Sequence, residues 1–136
     1  MAELFTWDPK KLSVHVDAMD KEHQKLIGLM NTLYAKSNAK APKADIKKAL
    51  MDLATYTTEH FKNEEKYFDS LKNYSKSHSH KLIHQELLKR VGQFIGEFDK
   101  TGVISEEFFR FLKVWLTSHI AGIDAQYGQA AGGKAA

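Results

Sequence analysis

The sequence of 136 residues predicts an all-α protein, an up-down-up-down antiparallel four-helix bundle with an N-terminal arm. Three observations carry that reading. Proline occurs only at Pro9 and Pro42, so long stretches are free of helix breakers. Four of those stretches repeat apolar residues at three- and four-residue spacing, the stripe of a helix with one buried face. The connections between them are short, which makes consecutive helices antiparallel neighbours.

The first helix is expected from about Ala18 to Ser37, with Leu26, Leu29, Met30 and Leu33 on one face and Asp17 as its N-cap. The second is expected from Pro42, which suits a first helical turn, to Leu71. Its stripe runs through Ile46, Leu50, Leu53, Ala54, Thr57, His60, Phe61, Glu64, Tyr67, Phe68 and Leu71. The third spans about Ser75 to Phe98 along His80, Ile83, His84, Leu87, Leu88, Val91, Phe94, Ile95 and Phe98, and Gly102 closes the turn that follows. The fourth opens at Ser105 as N-cap, with Glu106 and Glu107 in the first turn, where the helix dipole favours acids. It continues through Phe108, Phe111, Leu112, Trp115, Leu116, His119 and Ile123. Residues 1–16 form the arm, pinned by Phe5 and Trp7. Residues 17–127 form the bundle, and residues 128–136 a short tail with little to bury.

Composition narrows the chemistry. There is no cysteine, which excludes disulfides, iron–sulfur clusters and thiolate zinc sites. Any metal must be held by nitrogen and oxygen. No apolar run reaches the ~20 residues of a membrane span, and the start of the chain lacks the pattern of a signal peptide. A soluble cytoplasmic protein is the expectation. The net charge of +3 comes from scattered lysines, with a cluster at Lys40, Lys43, Lys47 and Lys48. Arginine is confined to Arg90 and Arg110, which argues against a nucleic-acid partner. The lysines read as solvated faces or as a docking patch for an acidic protein.

Seven histidines occur, and five of them, His23, His60, His80, His84 and His119, fall on the inward stripes of the four helices. A lone histidine on an apolar face is usually a satisfied core residue. Five unpartnered imidazoles in one interior would cost ~1–3 kcal/mol each, a cost that a shared metal removes. His60 and Glu64 are four apart, as are His80 and His84, so each pair lies on one helix face. His119 and Asp124 are five apart, which an ideal helix rotates by about 140°. They meet only if the helix deforms there, for instance by a π-type bulge eased by Gly122. Five imidazoles and two carboxylates exceed one tetrahedral zinc and suit two first-row metals bridged by the carboxylates.

Four segments, one per expected helix, resemble the hemerythrin family, in particular its single-domain bacterial members. They are Asp20–Lys21–Glu22–His23, His60–Phe61–Lys62–Asn63–Glu64, His80–Lys81–Leu82–Ile83–His84 and His119–Ile120–Ala121–Gly122–Ile123–Asp124. Trp7–Asp8–Pro9 and Ser13–Val14 resemble the family's arm. The resemblance runs from about Trp7 to Tyr127.

It implies a non-haem di-iron centre, Fe2+ or Fe3+, with a bridging oxo or hydroxo group and molecular oxygen as ligand. One iron would take His80, His84 and His119, and the other His23 and His60. Glu64 and Asp124 would bridge them. Phe61, Trp115, Leu116 and Ile120 would line a small, dry oxygen pocket. The implied function is reversible oxygen binding for storage, transport or delivery by a monomer, to which a protein partner could be added. It is not an enzyme on this reading. The alternatives are oxygen or redox sensing through a partner protein, or a di-iron oxidase or peroxidase, although no positioned acid–base group stands out. Residues left outside the centre are His78, Glu59 and Glu65, read as exposed, and His15, read as structural or exposed. Asp20 is either a partner of the His23 imidazole or a surface acid. Met19, Met30 and Met51 are read as core filler.

Overall fold

A computed structural model describes residues 5–130 except Asn73, without the side chains of Lys11, Leu116, Thr117 and Gln129. The order is α1 (Pro9–Leu12), α2 (Asp17–Asn38), α3 (Lys43–Asp69), α4 (Ser77–Thr101), α5 (Glu106–Trp115), a π-helix (Leu116–Asp124) and α6 (Ala125–Ala130). The last three form one continuous rod, so four long helices make the bundle. No strand occurs among the described residues.

Each helix buries the stripe read from its spacing. Leu26, Leu33, Leu50, Leu53, Phe68, Phe98, Phe108 and Leu112 pack in a shared core. Leu29, Leu71, Leu87, Leu88, Ile95 and Phe111 are only partly buried against it. Met51 is exposed and fills nothing. The helix ends follow local chemistry. Gly102 ends α4 with φ +74°, a left-handed turn that favours glycine. Ser105 Oγ accepts from the Phe108 N–H at 3.3 Å. Two caps differ from expectation. Asp17 is the first residue of α2 rather than its cap; the cap is Val16, with no side-chain hydrogen bond, and Asp17 serves the helix dipole instead. Pro42 stands at the cap of α3, one position before its first turn.

The arm carries its own helical turn. Asp8 Oδ1 accepts from the Lys10 N–H at 3.0 Å and Pro9 stands at the first position, so α1 has a built start. The arm is fastened at two places. Asn31 exchanges paired hydrogen bonds of 2.9 Å with the Phe5 backbone. Asp20 accepts from Ser13 Oγ at 2.6 Å and from the Val14 N–H at 2.8 Å. Asp20 therefore anchors the arm and does not hold His23. Of the lysine cluster, Lys47 is paired with Asp99 and Lys48 with Asp52. No helix among the described residues is long and apolar enough to cross a membrane.

Candidate metal centre

Regular α-helices deliver four of the imidazoles. His60 and Glu64 leave α3 one turn apart, His80 and His84 leave α4 in the same way, and His23 comes from the first half of α2. The rod after Trp115 delivers the last pair by another geometry. In a π-helix the backbone bonds run from i to i+5, so residues five apart stack as residues four apart do in an α-helix. The Ala125 N–H reaches the Ile120 carbonyl in that pattern. His119 Nε2 and Asp124 Oδ1 consequently lie 2.9 Å apart. The expected deformation is present and extends over nine residues. It does not depend on Gly122, whose φ is not positive and where an added Cβ would meet nothing within 4 Å.

All seven side chains are buried. They fall into two groups whose donor atoms lie within 4.8 Å of one another. One is His80, His84, His119, Glu64 and Asp124; the other is His23, His60, Glu64 and Asp124. Each carboxylate turns one oxygen to each group. Glu64 Oε2 is 3.1 Å from His23 Nε2 and 3.4 Å from His60 Nε2, while Oε1 is 3.2 Å from His84 Nε2. Asp124 Oδ2 is 3.2 Å from His23 Nε2, and Oδ1 is 2.8 Å from His80 Nε2.

The outward nitrogens explain why the inward ones are bare. His60 Nδ1 lies 2.7 Å from Glu22 Oε1, and His84 Nδ1 lies 2.9 Å from Glu65 Oε2. A carboxylate only accepts, so both Nδ1 atoms carry the proton. The Tyr74 hydroxyl lies 2.8 Å from His80 Nδ1 and accepts from it in the tautomer that leaves Nε2 bare. Such outer partners fix the ring and raise its basicity as a ligand.

The interior is accordingly crowded with electron pairs. Glu64 Oε1, His84 Nε2 and both Asp124 oxygens are buried and have no partner in hydrogen-bond geometry, despite their short contacts. Converging bare nitrogens and carboxylate oxygens call for cations between them. Without metal, protons fill that role. Burial opposes the imidazolium of His23, yet Asp124 and Glu64 outweigh it and lift the group to about 10. His60 is lifted against the same burial to about 9 by Glu64 and Glu22. Burial resists charge on Glu64 too, but His60, His23 and His84 hold it well below the usual carboxylate range. This donor set, rich in imidazole with two shared carboxylates, fits a pair of first-row metal ions.

Aromatic rings wall the three-imidazole group. Phe61 stacks on His84 at 3.8 Å and 2°, Phe68 on His80 at 4.6 Å, and Trp115 on His119 at 5.5 Å. Phe61 and Trp115 also line an apolar internal cavity of about 10 Å³, with Met30, Leu53, Thr57 and Leu112 among its other walls. Trp115 and His119 border an apolar surface groove of about 380 Å³. Ile120 is fully buried, and the Leu116 side chain lies outside the described residues.

Sequence reasoning missed four participants. Glu22, Tyr74 and Tyr127 were not singled out, and Glu65, read as solvated, is half-buried on His84. Tyr127 is fully buried, and its hydroxyl donates to Glu64 Oε2 at 2.7 Å. Burial and the nearby Glu64 and Asp124 charges push its phenol far upward, so it stays a donor. His15, His78 and Glu59 are exposed, as read.

A helix bundle that gathers five buried imidazoles around two shared carboxylates defines a class, the metal-binding four-helix bundles. The hemerythrin HHE cation binding domain matches residues 14–131, and the chain belongs to the hemerythrin family. It is 32% identical over 129 residues to a bacteriohemerythrin of Clostridium acetobutylicum, covering 91% of this chain and 98% of that one. It is 28% identical over 124 residues to a bacteriohemerythrin of Stenotrophomonas maltophilia, covering 91% and 79%. The crystal structure of a wild-type hemerythrin superposes with a TM-score of 0.84 at 27% identity, over 93% of this chain and 97% of that one. Family and fold together support oxygen binding at non-haem iron as the general activity.

Proposed function

We propose that the chain binds molecular oxygen reversibly at a di-iron centre and serves in oxygen storage, transport or delivery rather than catalysis. His80, His84 and His119 would hold one iron and His23 and His60 the other, with Glu64 and Asp124 bridging. The observation that carries this reading is the division of each carboxylate, one oxygen to each imidazole group. Iron(II) in the two positions would supply the electrons that hold oxygen.

The protein's own groups do the rest. Glu22, Glu65 and Tyr74 hold three imidazoles by their outward nitrogens and keep the inward nitrogens bare. With three imidazoles and both carboxylates on one iron, the open position would fall on the iron of His23 and His60, and oxygen would bind there, among side chains that are buried from water together with Phe61. A dry site favours release as oxygen over loss as peroxide, because that loss needs protons. The buried hydroxyl of Tyr127 is committed to Glu64 and offers no mobile proton. Phe61, Trp115, Leu116 and Ile120 are the proposed pocket residues.

The test is to load the anaerobic protein with ferrous iron and follow its visible spectrum through cycles of air and argon. A charge-transfer band that rises in air and fades under argon is expected. Irreversible oxidation on the first exposure, or steady turnover with a reductant, would move the function to sensing or catalysis.

A further inference from the structure

Tyr127 belongs to neither group of candidate ligands, yet it is among the most deeply buried side chains of the molecule. Its hydroxyl meets the oxygen of Glu64 that faces His23 and His60. Its ring is boxed in by Tyr67 at 5.7 Å, Phe68 at 6.1 Å, Tyr74 at 6.4 Å and His80 at 6.0 Å. The ring has no room to swing, so the place of its hydroxyl is set by the backbone of α6.

That backbone is held by the far end of the chain. At Gly128, the next residue, an added Cβ would stand 1.9 Å from the Val14 carbonyl oxygen and 3.0 Å from its carbon. Both are backbone atoms, and no side chain can fold away to relieve the clash. The arm passes over α6 at a distance that only glycine allows. The arm is itself fixed there. Val14 is buried, its N–H and Ser13 Oγ are both tied to Asp20, and α1 lies against the π-helix.

We propose that Tyr127 is a positioning residue that orients the Glu64 carboxylate, and that the N-terminal arm, clasped on Asp20 and seated on Gly128, keeps Tyr127 in place. The inference rests on the reading of Glu64 as a bridging ligand. The hydrogen bond falls on one oxygen only, so it acts on the half of the centre built by His23 and His60. A donor there fixes the carboxylate plane and withdraws charge from that oxygen.

The experiment measures iron affinity of the full chain by competition with a chelator, for Tyr127→Phe, Glu64→Gln and the two combined. Tyr127→Phe keeps the ring and removes only the hydroxyl. It should weaken iron binding about 10- to 100-fold, the usual effect of losing an outer partner. In the Glu64→Gln background the same change should add little, because a residue that acts through Glu64 loses its effect when the carboxylate is gone. An equal loss in both backgrounds would make Tyr127 a structural residue and overturn the proposal. So would wild-type affinity in Tyr127→Phe alongside reduced affinity in Glu64→Gln. Unchanged affinity in Glu64→Gln would instead sink the bridging assignment. Gly128→Ala should reproduce the Tyr127→Phe loss, and Asp20→Ala, which unclasps the arm without crowding α6, should lower affinity in the same direction. If every folded one of these two variants binds iron like the wild type, the arm has no part in it.

Discussion

The two halves of the centre are built on different principles. The half holding His23 and His60 is presented by ordinary α-helix and is dominated by charge. Two carboxylates and Glu22 surround two imidazoles and lift them to about 10 and about 9. The half holding His80, His84 and His119 meets the same two carboxylates, and Glu65 as well, but adds close aromatic packing. Each of its rings lies against an aromatic face, and one ring reaches the site only because the helix widens into a π-helix. The two shared carboxylates are what make these halves one site. The electrostatic half is expected to be sensitive to protons and to outer charges, and the packed half to shape.

The largest effect should come from breaking what the halves share. Glu64→Ala or Asp124→Ala is expected to remove both irons, whereas His60→Ala should leave the three-imidazole half loaded with one. Metal analysis of the purified variants checks this, and equal losses in all three would erase the distinction.

A smaller and graded effect is expected with pH in the metal-free protein. A histidine raised in the folded state stabilises it fully below its unfolded value of about 6.5, and that contribution is lost as pH rises through the folded value. For His60 and His23 those values are about 9 and about 10. The melting temperature of the metal-free protein should therefore fall between pH 6.5 and 10. Metal replaces those protons, so the iron-loaded protein should melt nearly independently of pH in that window. Calorimetry of both forms checks the difference.

The smallest effect is predicted at Gly122, near the end of the π-helix. Nothing crowds it, so Gly122→Ala should keep both irons and gain about 0.5–1 kcal/mol of stability. Loss of iron from that variant would mean that the packed half depends on glycine flexibility after all.

The candidate ligands were legible in the sequence because helical spacing is a local signal. His60 with Glu64 and His80 with His84 announce a shared face by being four apart. Even the irregular pair could be read, since a spacing of five is useful only in a deformed helix. The outer partners carry no such signal. Glu22 and Glu65 each sit one residue from a ligand, where a regular helix points side chains away from each other, and they serve imidazoles on other helices. Tyr74 comes from the connection before α4, six residues from His80, outside any helical pattern. Tyr127 meets Glu64 across 63 residues. Asp20 was misread because one turn from His23 suggested an imidazole partner, while the arm supplied closer donors. Spacing reports which side chains share a face and says nothing about which helix comes to meet them.

Glu64 and Asp124 are proposed to join two metal positions, one per imidazole group. Anaerobic titration with ferrous iron, read as iron bound per chain, tests this most directly. A break at two ions per chain is expected, one for each donor group. A break at a single ion would contradict the proposal, because one metal cannot use both groups.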